Sequence, residues 1–167
     1  MMKTVRLLAG AAWLLLGVSW IMSIYAYPRL PAEIIPWFSL WVVNNTKVGK
    51  SPAFFFPPAL QTVLFLAVIF LARAVFWRGA GLAPDEPSAR REFLGRLLAL
   101  RKEVVYLALI FFQLIFIHLQ TSLILVSHEA GAGVNRFYVG MILAVLVALI
   151  PYYMTRRRML ERENRDR

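Results

Sequence analysis

Cysteine is absent from the 167 residues, which excludes disulfides, thiolate nucleophiles, iron–sulfur clusters and cysteine-based zinc sites. Histidine occurs only twice, and nine acidic residues stand against nineteen Lys and Arg. No pair of carboxylates lies inside a long apolar run, and no Ser, His and Asp set with a recognisable nucleophile elbow occurs. Hydrolytic chemistry therefore has no visible equipment. The reading is of a non-enzymatic chain with no catalytic, cofactor-binding or metal-ligating residues. Glu103, beside Arg101 and Lys102, reads as an ion-pairing group.

What the chain does have is apolar length. Hydrophobic residues make up 60% of it, against the roughly 45–50% of a soluble domain. Four stretches approach or exceed the roughly 18 apolar residues that suffice to cross a bilayer. The expected fold is an all-α integral membrane protein, one domain built as a four-transmembrane-helix bundle. The spans fall at about 5–26, 55–77, 103–127 and 137–154. The first follows Lys3 and Arg6 as a signal sequence would, but its apolar part is longer than a cleavable core, so it reads as a retained span. Pro28 closes it, while Pro57 and Pro58 suit the first turn of the second span, where a missing N–H costs nothing.

Between and beyond these runs sit the charges. Lys and Arg near the first span's start, in the 78–102 loop with its edges and in the 155–167 tail total fifteen; the alternate side has only Arg29, Lys47, Lys50 and Arg136. Because cytoplasmic flanks are enriched in Lys and Arg, this asymmetry predicts both termini inside. The net charge of +10 then points to anionic inner-leaflet headgroups as the partner surface, not to nucleic acid. The 78–102 loop opens on Gly and Pro and continues as a short basic amphipathic cytoplasmic helix, or equally as the start of a longer third helix.

The 27–54 segment is proline-rich, with Pro28, Pro31, Pro36 and Pro52 denying it a long helix. Its apolar residues would be costly to leave in water, so a re-entrant or surface-lying element is expected. Leu30, Pro31, Ile35, Pro36, Trp37 and Trp41 are its candidate partner-binding residues. Within it, Val48, Gly49, Lys50 and Ser51 look like the end of a phosphate loop, but Asn44 stands where the first glycine is required and Pro52 follows, so nucleotide binding is rejected.

The third span is the polar one. Gln113, His118 and Gln120 interrupt an apolar run, and a polar or ionisable group at membrane depth is a functional candidate by default. At about 100° per residue the two glutamines share a face, while His118 points roughly 160° away from Gln120. Convergence therefore needs facing helices, with Gln61, Ser19 and Ser23 as available partners. A neutral His118 bonded to another helix is the favoured role. A metal or proton site of His118, His128, Glu129 and Glu33 requires the fold to gather them.

Tyr27, Pro28, Arg29, Leu30 and Pro31, then Ile35 and Pro36, then Gly49, Lys50 and Ser51, and finally Phe56, Pro57 and Pro58 resemble a bacterial membrane domain of unknown function that also forms the first part of Sdp-type immunity proteins. The likeness covers about residues 5–78. Trp37, Phe38 and Ser39 replace the polar residue usual after the Ile-Pro element. The resemblance implies a small non-enzymatic protein of the bacterial cytoplasmic membrane, whose relatives protect against membrane-active toxins and signal to cytoplasmic regulators. The expected role is binding, as an immunity-like or signalling component or an accessory subunit, with a protein partner or further copies of the chain. The alternative is a small oligomeric transporter or proton-linked channel using Gln113, His118 and Gln120.

Overall fold

The computed structural model describes residues 2–35, 47–77, 88–130 and 133–165. Four helices dominate: α1 (Met2–Ala26), α2 (Phe56–Leu71), α3 (Ser88–Ser127) and α4 (Arg136–Arg165). All four are long and apolar enough to cross a membrane. Large side chains such as Leu7, Ile21, Phe70 and Phe137 point outward from them, an arrangement water would penalise and hydrocarbon would not. The chain is a multi-pass membrane protein.

Its centre is α3. The most apolar stretch of α3 is 44% buried and that of α4 only 11%. Helix α3 packs on α1, α2 and α4, whereas α4 makes no comparable contact with α1 or α2. The four helices are thus a three-helix unit with α4 laid against the outside of α3. The α3–α4 seam is apolar, with Ile115, Val139 and Ile142 buried and Leu119 and Leu146 packed around them.

At 40 residues and about 1.5 Å per residue, α3 is about 60 Å long, twice the roughly 30 Å hydrocarbon layer. Half of it must stand outside. Tyr152 Oη donates to Glu103 Oε1 at 3.0 Å and Arg96 reaches Glu163 at 3.1 Å, so the start of α3 and the end of α4 continue past the spans as a paired stalk. This decides between the two readings of the 78–102 loop from residue 88 onward. Residues 88–102 are not a separate amphipathic helix but the first turns of α3, since no proline interrupts the run from Ser88 onward. The last helix continues beyond the span expected at about 137–154, running through Pro151 to Arg165, supported by the Arg157–Glu161 pair one turn apart at 2.8 Å. Residues 78–87 lie outside the described residues.

Pro57 and Pro58 do occupy the first turn of α2, as their missing N–H groups favour. The α-helix passes at Leu71 into a π-helical turn over Ala72–Trp77, so the helical run extends to Trp77.

At the other end the described residues of the 27–55 segment, 27–35 and 47–55, form a cap. It comprises a 3-10 turn at Tyr27–Arg29, an antiparallel pair of two-residue strands, β1 (Glu33–Ile34) and β2 (Val48–Gly49), and a second 3-10 turn at Pro52–Phe55. Leu30, Ile34, Ile35 and Phe54 turn inward onto Ala26 of α1 and Leu123 and Val126 of α3. Residues 36–46, including Pro36, Trp37 and Trp41, lie outside the described residues.

Candidate functional site

The cap is held on by polar contacts that the sequence pattern did not reveal. Lys50 Nζ donates to the carbonyls of Pro28 and Leu30, each at 3.2 Å, and lies 5.0 Å from the Tyr27 ring centre. The residue that looked like a phosphate-loop lysine is therefore a brace across the cap. Its own N–H bonds to Ala32 O at 2.7 Å. Ile35 N–H reaches Ser127 Oγ at 3.4 Å, and the His128 ring stands between two carbonyls, with Nδ1 2.9 Å from Ile124 O and Nε2 3.1 Å from Arg29 O, to one of which its neutral form donates. Together these tie both edges of the cap to the end of α3.

An open cleft of about 430 Å³ remains at the rim, lined by Pro31, Glu33, Lys47, Ser127, His128 and Glu129. Lys47 and Glu129 pair across it at 2.5 Å. Each shifts the other's proton affinity through that bond and charge: the Glu129 carboxyl is held below its ordinary 4.5 and the Lys47 ammonium above its ordinary 10.5. Glu129 is also a non-glycine residue at φ 57°, a conformation that persists where the surroundings fix it. The Glu129 contribution is present above pH 4.5 and lost as pH falls through its lowered value. That of Lys47 is present below 10.5 and lost as pH rises through its raised value. The difference in thermal midpoint between wild type and Glu129→Gln should therefore be flat between those limits and vanish beyond either. A difference persisting in strong acid would show that the charge pair is not its source. Because both groups are exposed, added salt should shrink it.

Of the candidate cap residues, Leu30 and Ile35 are buried and shape the cap from within. Pro31 alone among the described ones reaches the cleft.

In the helices, Gln113 and Gln120 are both fully buried, and of the groups expected to face them Gln61 meets Gln113. Gln61 Nε2 on α2 donates to Gln113 Oε1 at 3.3 Å, and Ser19 and Ser23 of α1 are fully buried as well. Ser23 Oγ donates back to Ser19 O at 2.7 Å. At the edge of this interface Trp20 Nε1 donates to Thr62 Oγ1 at 2.9 Å.

His118 stands apart from them, as the helical angle requires. Its Nε2 accepts the Asn135 N–H at 3.0 Å and its ring lies 4.6 Å from that of Tyr138. Asn135 Oδ1 in turn accepts Tyr138 N–H at 3.1 Å, capping the start of α4. An accepting Nε2 places the neutral ring's proton on Nδ1. His118 is thus a fastener between α3 and the beginning of α4. Glu33, His128 and Glu129 line the same cleft but His118 does not join them, and among the described residues no three His, Asp or Glu side chains stand close enough together to hold a metal ion.

Comparison with family models, curated proteins and solved structures gives no match.

Proposed function

We propose that this is a non-enzymatic membrane protein that acts by binding another protein through its cap, as an immunity-like or signalling component or an accessory subunit of a membrane complex. In this reading it resides in the bacterial cytoplasmic membrane, with both termini and the α3–α4 stalk cytoplasmic and the cap outside. The fifteen-to-four division of Lys and Arg supports that orientation.

The observation that carries the binding role is the cap itself. A loop needed only to join two spans can be short, whereas this one has its own apolar core, a lysine brace and fastenings to α3. It holds an open cleft whose charges stay at the rim. Such pre-organisation lowers the ordering cost of binding.

Glu33 is the position at which to test this. It is exposed, and its structural part is the backbone ladder with Gly49, so Glu33→Lys should leave insertion and folding intact. Purified from native membranes, the wild type should retain a companion protein that Glu33→Lys loses; companions kept at wild-type level by the variant would contradict the proposal. Deleting the segment is a poorer test, because it would remove Leu30, Ile34 and Ile35 from the core beneath it.

A second reading, an oligomeric transporter or proton-linked channel, is favoured by one observation, the buried bond of Gln61 to Gln113 in an interface that also buries Ser19 and Gln120. It needs several copies, since α4 lies outside the three-helix unit. Reconstituted vesicles should then show a flux that Gln120→Leu removes, and wild-type vesicles without flux would dispose of it.

A further inference from the structure

In hydrocarbon a side-chain amide has no solvent to bond to, so a buried donor or acceptor without a partner is among the least tolerable arrangements in a membrane helix. The α1–α2–α3 interface holds five such atoms. They are Ser19 Oγ, Gln61 Oε1, Gln113 Nε2, and both Oε1 and Nε2 of Gln120. The four residues have no exposed surface at all. They include every glutamine in the chain.

Register places them together. Gln61 meets Gln113 across α2 and α3. Leu16 clusters with Leu109, and the Thr121 hydroxyl faces Met22 Sδ at 3.6 Å, which sets Ser19 of α1 between the levels of Gln113 and Gln120. Apolar side chains close the group at both ends. Toward the cap lie Ala26, Ile34, Phe54 and Leu123, and toward the basic end lie Ala12, Leu16, Phe65 and Leu109.

The chemistry of these five atoms selects the ligand. Gln113 Nε2 and Gln120 Nε2 donate, Gln61 Oε1 and Gln120 Oε1 accept, and the Ser19 hydroxyl does either. No charged side chain belongs to the group, so an anion or a cation would be held without a counter-charge. A neutral ligand that both donates and accepts fits, and buried water does this with two to four partners. We propose that Ser19, Gln61, Gln113 and Gln120 line an occluded, hydrated compartment in the membrane core, with water as its resident ligand. This assignment depends on neither functional reading above.

Because all three glutamines belong to the compartment, labelling the chain with glutamine carrying ¹⁵N at both its backbone and side-chain nitrogens gives carboxamide signals from it alone, with the backbone N–H of the same residues as reference. Solid-state NMR of the intact protein in lipid bilayers, transferred to D2O, reads the result. A hydrated compartment exchanges the carboxamide protons of Gln113 and Gln120, so their signals are lost while the backbone N–H groups of the same residues stay protected by their helix. Carboxamides as protected as their own backbone would overturn the proposal. In Gln120→Leu, which removes one donor and one acceptor, exchange at the Gln113 carboxamide should slow; an unchanged rate would equally count against a shared site.

Discussion

Phe54→Ala should cost about 3–5 kcal/mol of stability, the range for emptying the site of a well-packed aromatic side chain, and should loosen the cap while leaving the spans in place. Phe54 is 1% exposed. Its ring centre lies 5.8 Å from that of Tyr27 and 5.5 Å from that of Phe55, and it joins Leu30, Ile34 and Ile35 to Leu123 and Val126. Two-residue strands contribute few ladder bonds, so this cluster anchors the cap together with the polar contacts of Lys50 and Ser127. The cap lies at the end of the spans, where the loosened segment meets water, so both the transfer and the cavity terms apply. Thermal unfolding in bilayer discs, with limited proteolysis of the 27–55 segment, checks this. Rapid cleavage in that segment with intact helices is the expected pattern, and a midpoint within error of wild type would refute it.

Phe65→Ala should have the next largest effect, and a smaller one, about 2–3 kcal/mol, for a reason specific to the membrane. Phe65 is as deeply buried as Phe54 and meets Trp13 edge-on at 4.7 Å between ring centres, within the cluster of Ala12, Leu16 and Leu109. Separating α1, α2 and α3 exposes this ring to lipid instead of water, so the transfer term nearly drops out and lost packing remains. Phe65→Leu should recover about half of the loss, since volume-conserving replacements are tolerated best. Detergent-dependent thermal unfolding measures both variants. A Phe65→Ala cost exceeding that of Phe54→Ala would mean that water, not lipid, is the reference environment of this cluster.

What could be read from the sequence divides along physical lines. Four spans were legible because apolar length alone decides them, and the helix start at Pro57 and Pro58 because a missing N–H has few tolerable positions. The shared face of Gln113 and Gln120, and the opposite direction of His118, follow from helical angle without any tertiary information. Even the facing residues Gln61 and Ser19 were nameable as polar groups on other apolar runs.

The rest depends on contacts distant in sequence. Whether residues 88–102 formed their own helix or continued into the span was balanced on periodicity. The pairing of Arg96 with Glu163 and Tyr152 with Glu103 belongs to a hairpin that no local pattern displays. Leu30 and Ile35 gave no sign of facing inward, since they flank a strand of only two residues, outside any element long enough to show a periodicity. The partner of His118 is a backbone N–H of Asn135, which carries no signature in residue type. Lys50 looked like a phosphate ligand because its neighbours resemble one motif, while its true partners, the carbonyls of Pro28 and Leu30, lie some twenty residues back.

Central to everything above is that four apolar helices cross a bilayer, with the paired ends of α3 and α4 on one face and the cap on the other. The chain's lack of cysteine makes the direct measurement clean. Arg91→Cys in the stalk and Lys47→Cys in the cap, each treated in intact cells with a membrane-impermeant thiol reagent, should differ: Lys47→Cys labels at once, and Arg91→Cys only after the membrane is opened. Equal labelling of the two in sealed cells would contradict the account.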